Sequence, residues 1–232
     1  MNNISIIPIK NLPEFEPKHD LADEIVKSFS SNNFVLEDKD IIVITQKIVS
    51  KVEDRLIKND NESIEKLIQQ ESLEILRKRG DTVIARTKHG FICANAGIDK
   101  SNIEKGSVLL LPEDPDKTSR DIRKKIEHVT NKKISIIISD TFGRAWRKGQ
   151  TNVAIGSSGI QPLESYIGEK DAFDNELFAT EIAIIDELAG AAELVMKKSD
   201  NIPVAIIRGV NYKYSDLGVK ELIRKEDEDF FL

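Results

Sequence analysis

The chain has 232 residues, of which 40% are hydrophobic and 32% are charged, and its formal net charge is −6 at pH 7. This length and composition predict a globular protein with a full core and exclude an intrinsically disordered chain. The negative charge argues against nucleic acid as a partner, although it leaves room for a local basic pocket that takes a small anion.

Three further features predict a cytoplasmic protein. The single cysteine, Cys93, cannot form an internal disulfide, which fits a reducing compartment. Residues Met1 to Leu12 contain no basic segment followed by an apolar core, so we expect no signal peptide. No apolar run approaches the roughly 20 residues of a membrane span, so we expect no membrane association.

The first predicted elements are a strand at Ile4–Ile9, a helix at His19–Phe29 and a strand at Asp40–Ile44. Polar residues come after that second strand, namely Thr45, Gln46, Lys47, Ser50 and Lys51. They form either a solvated loop that leads into a helix or a phosphate cradle at a strand end, the usual ligand position in α/β sheets. No Walker loop occurs in the chain, so a nucleotide would have to be held in another way.

The middle of the chain predicts a long amphipathic helix and then a hairpin. The helix spans Asn59–Arg79, with Asn61 as its N-cap and Gly80 as its C-terminal stop. The hairpin pairs Val83–Arg86 with Phe91–Ala94.

The turn Asn95–Asn102 comes after the hairpin and carries Gly97 and Asp99. One interpretation is a simple turn in which an Asx side chain caps the next segment of the chain. The other is a carboxylate placed to share a metal with Asp140, since Mg²⁺ in nucleotide enzymes uses one or two carboxylates plus substrate phosphates.

An apolar run at Ile134–Ile138 predicts a buried strand that ends in Asp140 and a threonine. A cluster of cations comes next, so this strand end is a candidate for a metal and a polyphosphate. Arg144 and Arg147 are candidate catalytic clamps on phosphate or on an acidic substrate, because arginine suits bidentate recognition of oxyanions. Structural ion pairs are the competing explanation for both.

The last predicted elements are the longest helix, Asn175–Lys198, and a strand at Pro203–Ile207. The sequence shows no internal repeat and no clear domain boundary. We therefore predict one α+β domain over residues 1–232, built from mixed sheets with flanking helices as two interleaved subdomains.

Several segments in the same order make the chain resemble the coenzyme F420:L-glutamate ligases, in the single-module form without a nitroreductase-like domain. These segments are Asn95–Asn102, Ser139–Arg144, Gly149–Gly156, Gly168–Asp171, Asp186–Ala189 and Ile207–Gly209. The resemblance implies the family's ligase fold and a homodimer.

The resemblance also implies a reaction. The family uses GTP as co-substrate and Mg²⁺ or Mn²⁺, with potassium as a further cation, to join L-glutamate to the carboxylate of coenzyme F420-0. An acyl phosphate forms first, and the product is F420-1, which further γ-linked glutamates extend. The rival hypotheses are a ligase of the same design with another carboxylate substrate, and a nucleotide- or deazaflavin-binding protein without turnover.

The site residues that the resemblance implies fall into two groups. The metal-binding positions are Asp99, Asp140 and Thr141. The GTP-contacting positions are Lys10, Asn11, Leu12, Pro13, Gln46, Lys47, Lys51 and Asn102. The chain departs from the family at Gln46 and Lys47, where serine and threonine are frequent, and at Met196–Asn201, where an acidic, glycine-rich segment often stands.

Overall fold

A computed structural model of the chain describes residues 3–58, 64–101 and 103–230. It contains helices and several sheets, so the α+β prediction is confirmed. The helices of this described part are α1 (Leu21–Ser31), α2 (Gln46–Val52), α3 (Ile64–Glu71), α4 (Pro115–Thr130) and α5 (Ile184–Met196). Its strands are β1 (Ser5–Ile9), β2 (Ile41–Thr45), β3 (Leu56–Lys58), β4 (Ser72–Arg79), β5 (Thr82–Thr87), β6 (Ile92–Ala94), β7 (Ser107–Leu109), β8 (Ser135–Arg144), β9 (Arg147–Ser158), β10 (Glu164–Ser165), β11 (Glu181–Ile182) and β12 (Val204–Arg208).

The main sheet has five strands in the order β1-β12-β2-β8-β9. Strands β2 and β8 run parallel, while the other neighbouring pairs of this sheet are antiparallel. The parallel pair is isoleucine-rich, and Ile41–Ile44 and Ile136–Ile138 are all fully buried. Such continuous apolar runs are typical of strands that are covered on both faces.

Helices cover both faces of this sheet and create two hydrophobic cores. On one face, α1 and α4 pack over residues such as Ile42 and Ile136. On the other face, α5 packs over Val43 and Ile137. The sheet is therefore a rigid middle layer, and side chains that leave its edge are held precisely.

Three small sheets come from chain segments that leave the main sheet. The segment between β2 and β8 forms the β3-β7 pair and the three-stranded sheet β4-β5-β6, which packs on α3 around Ile68, Val83 and Ala85. The segment between β9 and α5 forms the β10-β11 pair. The chain thus leaves the main sheet and returns to it, while the division into two interleaved subdomains within one domain stays a prediction.

The predicted helix at Asn59–Arg79 is wrong in its second half, where β4 pairs with β5 instead. Apolar Leu73 and Ile75 alternate with polar neighbours, which is a strand period rather than a helical one. The predicted start of this helix, including the proposed N-cap Asn61, lies outside the described residues.

Two other predicted boundaries are also wrong. The helix predicted from Asn175 begins only at Ile184, because the residues before it pair with the segment around Glu169 in an exposed loop. The longest helix of the described part is α4, with 16 residues. Strand β8 does not end at Asp140 and Thr141 but continues to Arg144, because β9 pairs with it from Ile136 to Arg144.

Candidate functional site

The candidate site lies where β8 loses one of its two neighbours. Strand β2 pairs with β8 only as far as Thr45, which lies opposite Ser139, and the chain then turns into α2. From Asp140 onward, β8 pairs with β9 alone. The Asp140 and Thr141 side chains therefore line open pockets at the sheet edge rather than a third strand.

The short helix α2 brings three of the predicted nucleotide-contacting residues to this edge. Gln46 is buried and accepts a hydrogen bond from Ser50 Oγ at 2.8 Å, while its Nε2 has no partner among the described residues. Lys47 Nζ lies 2.9 Å from Asp99 Oδ2, and Lys51 pairs with Glu14. An unpartnered buried amide is costly unless something else accepts its hydrogen bond, so Gln46 has donor capacity for a ligand.

Asp99 is presented by a tight backbone turn. Asn95, Ala96 and Gly97 have φ values of 52°, 54° and 75°, so three successive residues adopt the left-handed region. A Cβ on Gly97 would lie 2.7 Å from the Leu111 side chain, so only glycine fits there. The turn leads into a bridge between Asp99 and Leu109, which fixes the direction in which the carboxylate points.

The two carboxylates have opposite pKa shifts. Burial, with a smaller contribution from the Asp99 charge, raises the pKa of Asp140 from 3.8 to about 7 against the opposing effects of the Thr141 amide, Lys47 and Lys198. Burial also acts on Asp99, but hydrogen bonds from Lys47 and Ser101 outweigh it and lower the pKa. Both carboxylates line the second pocket, so the structure brings them together, while their sharing of a metal stays a prediction.

A hydrogen-bond network on the other side of Thr141 was not predicted. The Thr141 hydroxyl donates to Asn152 Oδ1 at 2.7 Å, and Asn152 Nδ2 donates to Glu193 Oε2 at 2.9 Å. Lys198 Nζ donates to Thr141 Oγ1 at 2.6 Å and lies 2.9 Å from Glu193 Oε1. The sequence carried little signal for it, because Asn152 stands between polar Thr151 and the apolar run Val153–Ile155 and nothing marks its side chain as buried.

Two pockets meet at these residues. The first pocket has a volume of about 340 Å³ and lies between α2, the Leu12–Pro13 segment and the end of α5. The second has a volume of about 460 Å³ and lies between β8 and the Asn95–Ser101 turn. Four residues line both pockets, namely Lys47, Asp140, Thr141 and Lys198.

The other predicted nucleotide-contacting residues are divided by the structure. Leu12 and Pro13 line the first pocket together with Gln46, Lys47 and Lys51. Lys10 and Asn11 are exposed, and both backbone groups of Lys10 bond to the Asn32 side chain. Asn102 lies outside the described residues.

The predicted arginine clamps lie at the exposed tip of the β8–β9 hairpin. Arg144 donates to the backbone carbonyls of Lys148 at 2.6 Å and Gly149 at 3.4 Å, and Arg147 is exposed. Neither arginine lines either of the two pockets. Their catalytic assignment stays a prediction, with Arg144 engaged in holding the hairpin turn.

The donors at the site fit a small divalent cation. The part of the chain that the structure describes contains no cluster of three or more His, Cys, Asp or Glu side chains suited to a metal. Asp99, Asp140 and the Thr141 hydroxyl supply oxygen donors, and Mg²⁺ or Mn²⁺ in phosphoryl-transfer sites needs only one or two carboxylates plus substrate oxygens.

The fold and the site define an α+β protein with two pockets that share one carboxylate, one hydroxyl and two lysines, an arrangement suited to phosphoryl or acyl transfer. Residues 10–209 match the F420-0:Gamma-glutamyl ligase family, and the chain belongs to that family. The coenzyme F420:L-glutamate ligase of Methanococcus maripaludis strain C7 is 44% identical over 86% of this chain and 88% of its own length. The protein of that name from Methanocaldococcus jannaschii is also 44% identical, over 85% of this chain and 86% of its own length.

None of the helices in residues 3–58, 64–101 and 103–230 is long and apolar enough to cross a membrane.

Proposed function

We propose that the protein is a GTP-dependent ligase that joins L-glutamate to the carboxylate of coenzyme F420-0, giving F420-1 and further γ-linked products. The observation that carries this proposal is the pair of pockets that share Lys47, Asp140, Thr141 and Lys198. A ligase of this kind must hold a nucleotide and a carboxylate acceptor on two sides of one reacting phosphoryl group. Membership of the ligase family and the names of the relatives support the choice of substrates.

The reaction has two steps, because a free carboxylate is a poor acyl donor. In the first, a carboxylate oxygen of F420-0 attacks the γ-phosphorus of GTP, the bond to the bridging oxygen breaks, and GDP leaves. In the second, the glutamate amine attacks the carbonyl carbon of the acyl phosphate and inorganic phosphate leaves. The amine loses its proton as the amide forms.

The first pocket is the better candidate for GTP. Lys47 and Lys51 place positive charge where the phosphates would lie, and the Gln46 amide has donor capacity there. Asp99, Asp140 and Thr141 would hold Mg²⁺ or Mn²⁺ at the junction of the pockets. When bound, the divalent cation supplies positive charge that stabilises the transferred phosphoryl group. The second pocket then receives the acceptor carboxylate, close to Lys198.

The protein's own contribution is positioning and charge rather than covalent catalysis. The rigid sheet holds Asp140 and Thr141, while Lys47 and Lys198, which line both pockets, would lie between the two substrates. Positive charges so placed stabilise the negative charge that develops on the phosphoryl oxygens. We also propose that the protein acts as a homodimer, which light scattering on the purified protein tests.

One incubation tests the proposed reaction. Purified protein is mixed with F420-0, L-glutamate, GTP and Mn²⁺, and the products are followed by mass spectrometry. We expect mass increments of one glutamate residue, each accompanied by one GDP and one phosphate. Replacing glutamate by hydroxylamine should trap the acyl phosphate as a hydroxamate of F420-0. Replacement of GTP by ATP tests the nucleotide preference.

Two outcomes would contradict the proposal. GDP release only in the presence of another carboxylate would identify a ligase with a different acceptor. Binding of GTP or F420-0 by folded protein without any product would identify a binding protein. Asp140→Asn is the matched control, because it keeps the shape of the side chain and should remove turnover while the fold survives.

A further inference from the structure

The hydroxyl proton of Thr141 can point in only one direction. Its direction is set by Glu193 on α5, which acts through Asn152. The Glu193 carboxylate can only accept hydrogen bonds when ionised. The Asn152 group that faces Glu193 Oε2 must therefore be its NH₂, at 2.9 Å. The carbonyl oxygen of Asn152 consequently faces Thr141.

The same reasoning fixes the Thr141 proton. Asn152 Oδ1 can only accept, so the Thr141 hydroxyl donates its single proton to it at 2.7 Å. The remaining lone pairs of Thr141 Oγ1 can then only accept, and Lys198 Nζ donates to this oxygen at 2.6 Å. Thr141 Oγ1 thus directs its lone pairs, and not its proton, toward the junction of the two pockets. A cation requires lone pairs of this kind.

The network is built into the fold rather than formed by loose surface side chains. Thr141 and Asn152 are directly opposite each other in the β8–β9 register, and Asn152 is only 4% exposed. Helix α5 passes close to β9 at Gly190, where an added Cβ would lie 3.6 Å from Thr151 Oγ1. This close approach brings Glu193 over Asn152 less than one turn later.

The Lys198 ammonium lies at the acceptor oxygens of this network. Its ammonium contacts oxygens of Thr141, Asn152 and Glu193 at 2.6, 3.2 and 2.9 Å. Its side chain is 60% exposed, so the stem can swing away into solvent without disturbing the core. An ammonium on an exposed stem is a replaceable cation, unlike the buried Asn152 amide and the half-buried Thr141 hydroxyl beneath it.

We propose that Asn152 and Glu193 are positioning residues that hold Thr141 Oγ1 as an acceptor for a divalent cation, and that the Lys198 ammonium holds that place until the cation takes it. This inference rests on the metal site of the proposed function but concerns binding alone. Residues that orient a metal ligand typically change metal affinity 10- to 100-fold when they are replaced. Displacement of Lys198 also makes its charge available to an anionic substrate in the adjoining pockets.

Mn²⁺ binding to full-length, chelator-treated, nucleotide-free protein tests the proposal, with the free ion measured by electron paramagnetic resonance. Asn152→Leu removes the acceptor for the Thr141 proton, and we expect affinity to fall roughly 10- to 100-fold. Glu193→Gln lets the Asn152 amide turn over, so Thr141 points its proton at the cation, and affinity should also fall. Lys198→Met removes the competitor, so affinity should rise severalfold. Glu187→Gln is the matched control, because it removes an exposed carboxylate from the same helix and should leave affinity within twofold.

Mn²⁺ affinity is expected to fall in Asn152→Leu and Glu193→Gln but to rise in Lys198→Met. These opposite changes separate a positioning role from a merely structural one, since general damage would weaken binding in every variant. Circular dichroism and thermal melting establish that each variant is folded, and Glu193→Gln carries the test if Asn152→Leu does not fold. Folded Asn152→Leu and Glu193→Gln proteins with wild-type affinity would overturn the positioning role. Weaker binding in Lys198→Met would overturn the role of Lys198 as a replaceable cation. A wild-type protein that binds no Mn²⁺ would overturn both this inference and the metal site, whereas failure to ligate glutamate with normal Mn²⁺ binding would overturn only the proposed reaction.

Discussion

Lys47 Nζ lies 2.9 Å from Asp99 Oδ2 and 2.6 Å from Ser101 Oγ, so one ammonium joins α2 to the turn that comes after β6. Both side chains of the pair are about one quarter exposed, so the contact is less screened than a surface ion pair. The pair places a positive charge between the two pockets and keeps the neighbouring carboxylate ionised. Lys47 thus serves the proposed nucleotide and the proposed cation at the same time.

Replacing Lys47 by methionine should weaken nucleotide binding while leaving the fold intact. A hydrogen bond to a charged group contributes about 1.5–3 kcal/mol, so we expect a loss of affinity for GTP of about tenfold or more. Titration with a fluorescent GTP analogue measures this loss. Lys27→Met is the control, because Lys27 forms exposed ion pairs on α1. Equal affinities for the GTP analogue in the two variants would contradict the assignment of Lys47 to the nucleotide site.

Mn²⁺ binding should depend on pH because the Asp140 pKa is about 7. A metal binds the ionised carboxylate, so below pH 7 it must displace a proton, and affinity should fall by up to tenfold per pH unit. Calorimetry at pH 6 in two buffers of different ionisation enthalpy should detect about one released proton, and at pH 8.5 almost none from this group. A pH-independent affinity between pH 6 and pH 8 would contradict this prediction.

The raised pKa of Asp140 also predicts how stability changes with pH. The folded protein holds this proton more tightly than the unfolded chain, so the stabilisation is fully present below pH 3.8 and is lost as pH rises through about 7. At pH 8, without divalent cations, Asp140→Asn should therefore be more stable than the wild type, by up to roughly 4 kcal/mol. Urea unfolding of both proteins at pH 5 and pH 8 measures the difference, which should shrink at pH 5. A difference that does not change with pH would contradict the assignment.

The central strands could be predicted because isoleucine runs are a local pattern. The pairing of Asp99 with Asp140 was one of two interpretations of the turn, and the structure brings both residues to the second pocket although Asp99 follows β6 of a separate sheet. The contact between Asn152 and Glu193 had no such chemical signal, because it depends on where α5 crosses β9. A single sequence gives the helix but not its crossing point.

Arg144 shows a different limit of sequence reasoning. It is only four residues from Asp140, which suggested a shared site, but β8 continues in extended form through both residues. At about 3.4 Å per residue, that places the two Cα atoms about 14 Å apart. Nearness in sequence implies nearness in space only where the strand has ended, and the strand end was predicted too early.

Cys93 should react slowly with thiol reagents although it lines the second pocket. Burial and the nearby Asp140 charge raise its pKa to about 12, so at pH 8 only about one thiol in ten thousand is ionised. We expect iodoacetamide to label the native protein at least about 100-fold more slowly than the protein in urea. The urea-unfolded protein is the internal control, and labelling of the native protein within tenfold of its rate would contradict the prediction.

The ion pair between Asp40 and Arg208 should be essential to stability. Asp40 is fully buried directly before β2, and Arg208, at the end of β12, binds it through two nitrogens at 2.8 and 2.7 Å. Arg208→Met leaves the buried carboxylate without its cation, which costs about 3–5 kcal/mol. At about 2–4 °C per kcal/mol for a protein of this size, the melting temperature should fall by roughly 6–20 °C.

The double variant Asp40→Asn/Arg208→Met distinguishes a buried uncompensated charge from simple loss of packing. Because it removes both charges, it should recover part of the stability that Arg208→Met loses, and differential scanning calorimetry measures the recovery. Lys27→Met, which breaks only exposed ion pairs, should leave the melting temperature almost unchanged. If the double variant melts no higher than Arg208→Met, the loss comes from the packing of the arginine over Phe34, whose ring centroid lies 5.0 Å away, and not from the charge of Asp40.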